Sequence, residues 1–212
     1  MANQPIHLTA KQKQIVKLSE SQHLVLAPPG TGKTELLSHR VKHALENGFD
    51  PKDMICLTFT TRVAREMKER ISWDNSDRMF IGNIHHFCSY FLFKNNILPQ
   101  SYAILDEEDS ILIMQEAKNS VGYDDNIKIK DLLIFSTYVK RQSLNFPQEL
   151  LHFKRNGIDE AKGKEVSKKY EDLKEEFAHI DYDDLLTYTY NILTNTSHDE
   201  FRYSWIQVDE VQ

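Results

Sequence analysis

With 212 residues, 40% of them hydrophobic and 27% charged, the chain can fill one large domain or two modest ones and is too apolar for a disordered segment. No apolar run approaches the ~20 residues needed to span a bilayer, and Met1–Pro5 lacks the basic and apolar regions of an export signal, which points to the cytoplasm. A net charge of −6 argues against coating nucleic acid by bulk electrostatics, yet the first hundred residues carry 13 Lys and Arg against 9 Asp and Glu, so a polyanion would meet that half first.

The first predicted element is an amphipathic helix from Thr9 to about Glu20, opened by a capping box with Thr9 as N-cap and Gln12 at N3. His23–Ala27 reads as a short apolar strand. A Gly-rich loop and a helix from Lys33 to about Asn47 follow, with Gly48 at the left-handed C-terminal position. Met54–Phe59 predicts a second strand, a helix runs on through Ile71, and Met79–Ile81 predicts a third strand. Strands alternating with helices at this spacing imply parallel pairing, a doubly wound α/β sheet with helices on both faces.

Beyond about Phe91 the pattern becomes helical. Apolar residues recur at helical spacing through Ile111, Leu112, Met114 and Ala117, then Leu132, Leu133, Phe135 and Val139, then Val166, Tyr170, Leu173 and Phe177. Asn156-Gly157 and Lys162-Gly163 read as breaks between helices. No strand is expected over 106–195. A strand returns only at Trp205–Val208, ending on Asp209 and Glu210. The expected organisation is a sheet domain over 1–90 and 181–212, interrupted by an all-helical insertion over 91–180. Cys56 and Cys88 lack metal-ligand spacing and read as buried thiols.

Chemistry concentrates in Ala27-Pro28-Pro29-Gly30-Thr31-Gly32-Lys33-Thr34. Lying between a strand and a helix, it matches the GxxxxGK[ST] phosphate loop except for Ala27 at the first Gly. Gly30 and Gly32 let the backbone curl so that the amides of Pro29–Thr34 face phosphate oxygens wherever they carry a proton. The helix N-terminus adds positive potential, Lys33 reaches the β- and γ-phosphates of ATP, and the Thr34 hydroxyl can ligate Mg²⁺. Such a loop needs an acidic strand end nearby. Asp209 fits as the Mg²⁺ ligand and Glu210 as the catalytic carboxylate that activates water.

Taken together, four spaced segments resemble the UvrD/Rep/PcrA family of superfamily 1 DNA helicases. Leu8-Thr-Ala-Lys-Gln12 is similar to that family's Q motif and "APPGTGKT" to motif I. Leu57–Met67 resembles motif Ia, and Ile81–Phe87 resembles motif Ib. Tyr102–Asp109 resembles the start of the helical 1B insertion, Asp181–Leu186 its exit, and "VDEVQ" motif II. The resemblance covers residues 6–212 in order. It implies a RecA-like ATP-binding domain of a 3′-to-5′ translocase or helicase acting on single-stranded DNA in repair, replication or recombination.

By the same resemblance, Gln12 reads the adenine edge, although the capping box competes for its side chain. Thr60, Thr61 and Arg62 would hold the single-strand backbone, with Arg65, Lys68 and Arg70 extending the basic side of that helix, and His85 would lie near the DNA track. Two departures stand out. Asn83-Ile84-His85 occupies the place of a usual Thr-Phe-His, which removes a stacking aromatic, and Glu35 follows Thr34 where Arg is common. In the family, motifs III to VI and a second RecA-like domain lie beyond motif II. The sequence is therefore expected to be a monomeric N-terminal fragment that binds ATP and Mg²⁺ but hydrolyses ATP poorly alone.

The motor of an AddA/RecB-type helicase–nuclease and a nucleotide-gated interaction module share these motifs and remain open at this level. His39 and His43 share a helix face without a third ligand, Asp106–Asp109 suits a helix start, and Asp181 suits an N-cap.

Overall fold

A computed structural model describes residues 8–28, 30–71, 78–123, 126–144, 157–195 and 201–210. The described contacts form two compact units, one over 1–87 with 197–212 and one over 88–196. Helix α4, Ile84–Lys94, carries the chain from the first into the second.

In the first unit, β1 (Met54–Leu57) lies between β2 (Phe80–Gly82) and the last strand, β5 (Trp205–Val208), all parallel. Parallel neighbours require crossovers. Helix α3 (Thr61–Ile71) supplies the one between β1 and β2, and the whole second unit lies in sequence between β2 and β5. The register aligns Leu57 with Gly82 on one side and with Val208 on the other, so all three strands end level. Helices α2 (Lys33–Glu46) and α3 bury Val41, Leu45, Met67 and Ile71 against Met54, Cys56, Ile81 and Trp205 on one face. On the other, Phe87 of α4 meets Phe80 edge-on at 5.5 Å. Gly82 admits this close approach, because a Cβ there would stand 2.6 Å from His86 Nδ1. The doubly wound arrangement thus follows the sequence pattern.

One strand does not. Residues 23–27 have no regular structure, and Leu24 and Leu26 are exposed. Apolar alternation supplies side chains for a strand but not its hydrogen bonds. Among the described residues no strand lies beside this segment.

The second unit packs α5 (Glu107–Val121), α6 (Ile129–Ser143) and α7 (Glu160–Glu176) around Met114, Ala117, Leu132, Phe135, Val166 and Tyr170. Asp106 caps α5 by accepting from the Asp109 amide at 2.9 Å. Gly163, expected at a break, lies inside α7. A Cβ there would stand 2.6 Å from Phe135 Cε1 and 2.7 Å from Ile158 Cγ2, so this glycine permits close helix packing instead of ending a helix. Asn156, of the other expected break, lies outside the described residues. The expectation of no strand over 106–195 is corrected by β4, His179–Ile180, which pairs in parallel with β3, Ala103–Ile104. Two residues are too few to leave a periodic signature.

Helix α8 (Tyr182–Asn195) begins with reciprocal caps. The Asp184 amide donates to Asp181 Oδ1 at 2.8 Å, and the Asp181 amide donates to Asp184 Oδ2 at 3.0 Å. The apolar stripe of α7 is interrupted by a buried cation. Phe177 is exposed, while Lys174, 2% exposed, places Nζ 2.6 Å from both Asp181 Oδ2 and Asp184 Oδ2 and 3.1 Å from Glu171 Oε2. Lys140 of α6 pairs with Asp184 and, at 2.9 Å, with Glu171. Arg141 donates to Asp183 at 2.6 Å. Burial opposes ionisation of Asp181, but the charges of Lys140 and Lys174 outweigh it and hold that carboxyl below the ordinary range. Burial likewise disfavours charged Lys174, and Asp184, Asp181 and Glu171 more than compensate, raising its pKa. Glu171, Asp181 and Asp184 converge as metal ligands would, but the ammonium of Lys174 already fills that role.

Among the described residues no helix is long and apolar enough to cross a membrane. Replacing Lys174 by Ala leaves buried carboxylates facing each other without their cation. The expected loss is about 3–5 kcal/mol of unfolding free energy, the range for breaking a buried ion pair from one side, measured by urea denaturation.

Candidate functional site: a phosphate loop facing an acidic strand end

The level strand ends place three loops along one edge of the sheet, the edge where open α/β folds bind ligands. The first belongs to β5. The Asp209 amide donates to Leu57 O at 2.9 Å, extending the β1–β5 ladder by one residue and fixing the start of the acidic turn. Glu210 then adopts φ +57°, a left-handed conformation that costs a non-glycine residue about 1–2 kcal/mol.

The phosphate loop faces that turn. Gly30 and Gly32 have φ +75° and +79°, and Gly32 is the N-cap of α2, so Lys33 and Thr34 stand on the first turn of the helix. A Cβ would be strained at both glycines, which is why the sequence has them there. The Thr31 hydroxyl donates to Pro28 O at 2.7 Å, closing the loop on itself. Pro29, expected in the phosphate cradle, lies outside the described residues.

Two contacts join loop and strand. Lys33 Nζ lies 3.1 Å from Glu210 Oε1, and the Thr34 hydroxyl lies 3.5 Å from Asp209 Oδ2. Asp209 is buried. Burial and the neighbouring Glu210 charge raise its pKa, against the opposing pull of Lys33. The arrangement pairs each partner of the loop with one acid, a hydroxyl with Asp209 and an ammonium with Glu210. A hydroxyl and a carboxylate side by side at the start of a helix suit a hard cation that takes oxygen ligands.

Gln12 reaches the same loop from α1 (Ala10–Val16). Its Oε1 accepts from the Thr9 amide at 2.8 Å and its Nε2 donates to Thr31 O at 3.3 Å. The capping box is therefore present, and the amide group at the same time touches the loop. Cap and loop contact use the two atoms of one terminal amide, Oε1 and Nε2.

Thr60, Thr61 and Arg62 follow β1, and His85 follows β2. Thr60 Oγ1 accepts from the Val63 amide at 3.2 Å, capping α3, and Arg62 pairs with Glu66 at 3.1 Å. Arg70, expected on the exposed basic side, instead contacts Glu35 of α2 at 3.4 Å. Glu35 also faces His39 at 3.3 Å. The departure at Asn83 has a local cause: its Oδ1 accepts from the His86 amide at 2.8 Å and caps α4. Phe59, 78% exposed in the loop after β1, is an aromatic surface that the motif pattern alone did not single out.

The sequence matches the family described as UvrD/REP helicase N-terminal domain over residues 8–212. It is 23% identical over 220 residues to the ATP-dependent DNA helicase PcrA of Staphylococcus aureus strains Mu50 and NCTC 8325, covering 97% of this chain and 30% of each relative. The PcrA protein of Staphylococcus epidermidis strain ATCC 12228 is 23% identical over 217 residues with the same coverage. The chain thus spans about 30% of the length of these relatives.

Any phosphate that takes Lys33 must displace Glu210. Glu210→Gln removes that competition, and a half-exposed ion pair is worth about 0.2–1 kcal/mol. Tripolyphosphate should therefore bind Glu210→Gln up to about fivefold more tightly than wild type in calorimetry.

Proposed function

The chain belongs to the UvrD/REP helicase N-terminal domain family, and we propose that it forms the ATP-binding part of a DNA translocase or helicase that moves 3′-to-5′ on single-stranded DNA. The observation that carries the proposal is the facing of Lys33 and Thr34 by Glu210 and Asp209 across the ends of the sheet. Names of the relatives support ATP as the nucleotide and DNA as the polymer.

In this reading the amides of the Gly30–Thr34 loop and the N-terminus of α2 hold the phosphates. Lys33 exchanges the Glu210 carboxylate for phosphate oxygens. Thr34 and Asp209 would hold Mg²⁺, which supplies charge neutralisation at the phosphates when bound. Released from Lys33, Glu210 can accept the proton of the attacking water, its carboxylate already facing the loop. Gln12 takes the adenine edge with the amide that now meets Thr31 O.

DNA is assigned to the loops after β1 and β2. Thr60, Thr61 and Arg62 offer hydroxyls and a guanidinium to the backbone, and His85 lies on the neighbouring loop. Exposed Phe59 provides a stacking face, and base–aromatic stacking is worth roughly 1–3 kcal/mol per base. This compensates for the missing aromatic at Ile84. Involvement in repair, replication or recombination follows from the same reading.

Calorimetry with ATP and Mg²⁺ tests the nucleotide assignment: Lys33→Ala should lower affinity at least tenfold, and equal affinity would overturn it. For the polymer, reversing charge at Arg62 should flatten the salt dependence of single-strand binding, because each lost phosphate contact lowers the slope by ~0.7. In the whole gene product containing this sequence, Glu210→Gln should abolish DNA-stimulated ATP turnover while sparing ATP binding.

A further inference from the structure

Helix α1 brings Gln12 to the phosphate loop, yet it is seven residues long and none of them is buried. So short a helix is not stable by itself, and its apolar residues Ile15 and Val16 are only half-buried, so polar anchors add to what packing on α2 supplies. One is the 3.3 Å hydrogen bond from Gln12 to Thr31 O. The other lies a turn further on, where Arg40 of α2 donates from Nη1 to Ile15 O. That carbonyl is in the last turn of α1, where a cation is favoured, and it also accepts from the Leu18 amide at 3.2 Å. Gln12 and Ile15 are three residues apart, on the same side of the helix, so an anchor at Ile15 fixes the height and rotation of the Gln12 amide.

Arg40 is itself held. Its guanidinium carbon lies 5.1 Å from the centre of the Trp205 ring, and Trp205 is buried with its ring edge-on to Phe49 at 5.3 Å. The guanidinium is thus held between the buried indole and Ile15 O. Trp205 is the first residue of β5, the strand that ends at Asp209 and Glu210. The same guanidinium therefore touches the helix that carries Gln12 and the strand that carries the acids.

We infer that Arg40 is a positioning residue for nucleobase recognition: stacked on Trp205, it holds α1 by Ile15 O and thereby sets Gln12 against the adenine of a bound nucleotide. The inference rests on the proposal that Gln12 reads adenine. It adds that base selectivity depends on a residue that touches neither base nor phosphate.

The test measures affinities of the full chain for ATP, GTP and tripolyphosphate, each with Mg²⁺, in wild type, Gln12→Ala, Arg40→Ala, Arg40→Lys and the Gln12→Ala/Arg40→Ala double variant. Tripolyphosphate has no base, so it reports the phosphate loop alone. Arg40→Ala should weaken ATP about fivefold, the order of one lost amide–adenine hydrogen bond, collapse the ATP-over-GTP preference to the Gln12→Ala level, and leave tripolyphosphate unchanged. The double variant should be no worse than either single one. Arg40→Lys, which can donate to Ile15 O but cannot stack flat on Trp205, should fall between wild type and Arg40→Ala. An equal loss for tripolyphosphate and ATP in Arg40→Ala and Arg40→Lys would overturn the inference, since Arg40 would then support the whole loop. A retained ATP preference in Arg40→Ala, with Gln12→Ala having lost it, would overturn it while leaving the adenine reading intact. Unchanged preference in Gln12→Ala would refute the adenine reading and the inference with it.

Discussion

The pairing of β1 with β5 is the constraint on which the site depends. These strands are about 150 residues apart in sequence, and four residue pairs plus the Asp209–Leu57 hydrogen bond set their register. A slip by one residue would turn Trp205 and Gln207 out of the core and bring Ile206 and Val208 in. It would also move the acidic turn by about 3.3 Å along the strand, breaking both Lys33–Glu210 and Thr34–Asp209. Trp205 opposes the slip. Its ring packs on Phe49 and under Arg40, and among the described residues of β5 it has the largest side chain to lose from the core.

The second unit is held differently. Its helices share an apolar core, but the turn from α7 through β4 into α8 is fixed by charge: Lys174 and Lys140 against Glu171, Asp181 and Asp184. Desolvating that many charges costs several kcal/mol per ion unless each finds its counter-ion. The arrangement is therefore intolerant of losing any member. Asp181 carries two duties, capping α8 through Oδ1 and taking Lys174 and the Tyr170 hydroxyl through Oδ2.

Local chemistry was legible in the sequence and non-local chemistry was not. The Thr9–Gln12 capping box, the helix start at Asp106–Asp109, the Asp181 cap and the curl of the phosphate loop at its glycines each involve residues within four positions of one another, and each forms as expected. The proximity of the acidic pair to the loop came from the chemistry that a phosphate site demands. Gly163 misled because a glycine that breaks a helix and one that admits Phe135 look alike until the neighbouring helix is in place. Residues 23–27 have a strand's composition, but pairing depends on a neighbour that composition does not name. Lys174 lies one residue past Leu173 on an apolar stripe, and only its partners Asp181 and Asp184 at the start of α8 explain why it, and not Phe177, is inside. Arg40 carries no motif signal of its own, since its partners are a backbone carbonyl on α1 and an indole on β5.

Hydrogen exchange of the chain with and without a non-hydrolysable ATP analogue and Mg²⁺ tests the central claim most directly, namely that the loop before α2 and the end of β5 form one nucleotide site. The account predicts that protection rises together at the amides of 30–36 and 208–210, with a smaller gain over α1, and that α5, α6 and α7 are unchanged. Protection confined to residues outside these segments, or at 30–36 with none at 208–210, would contradict it.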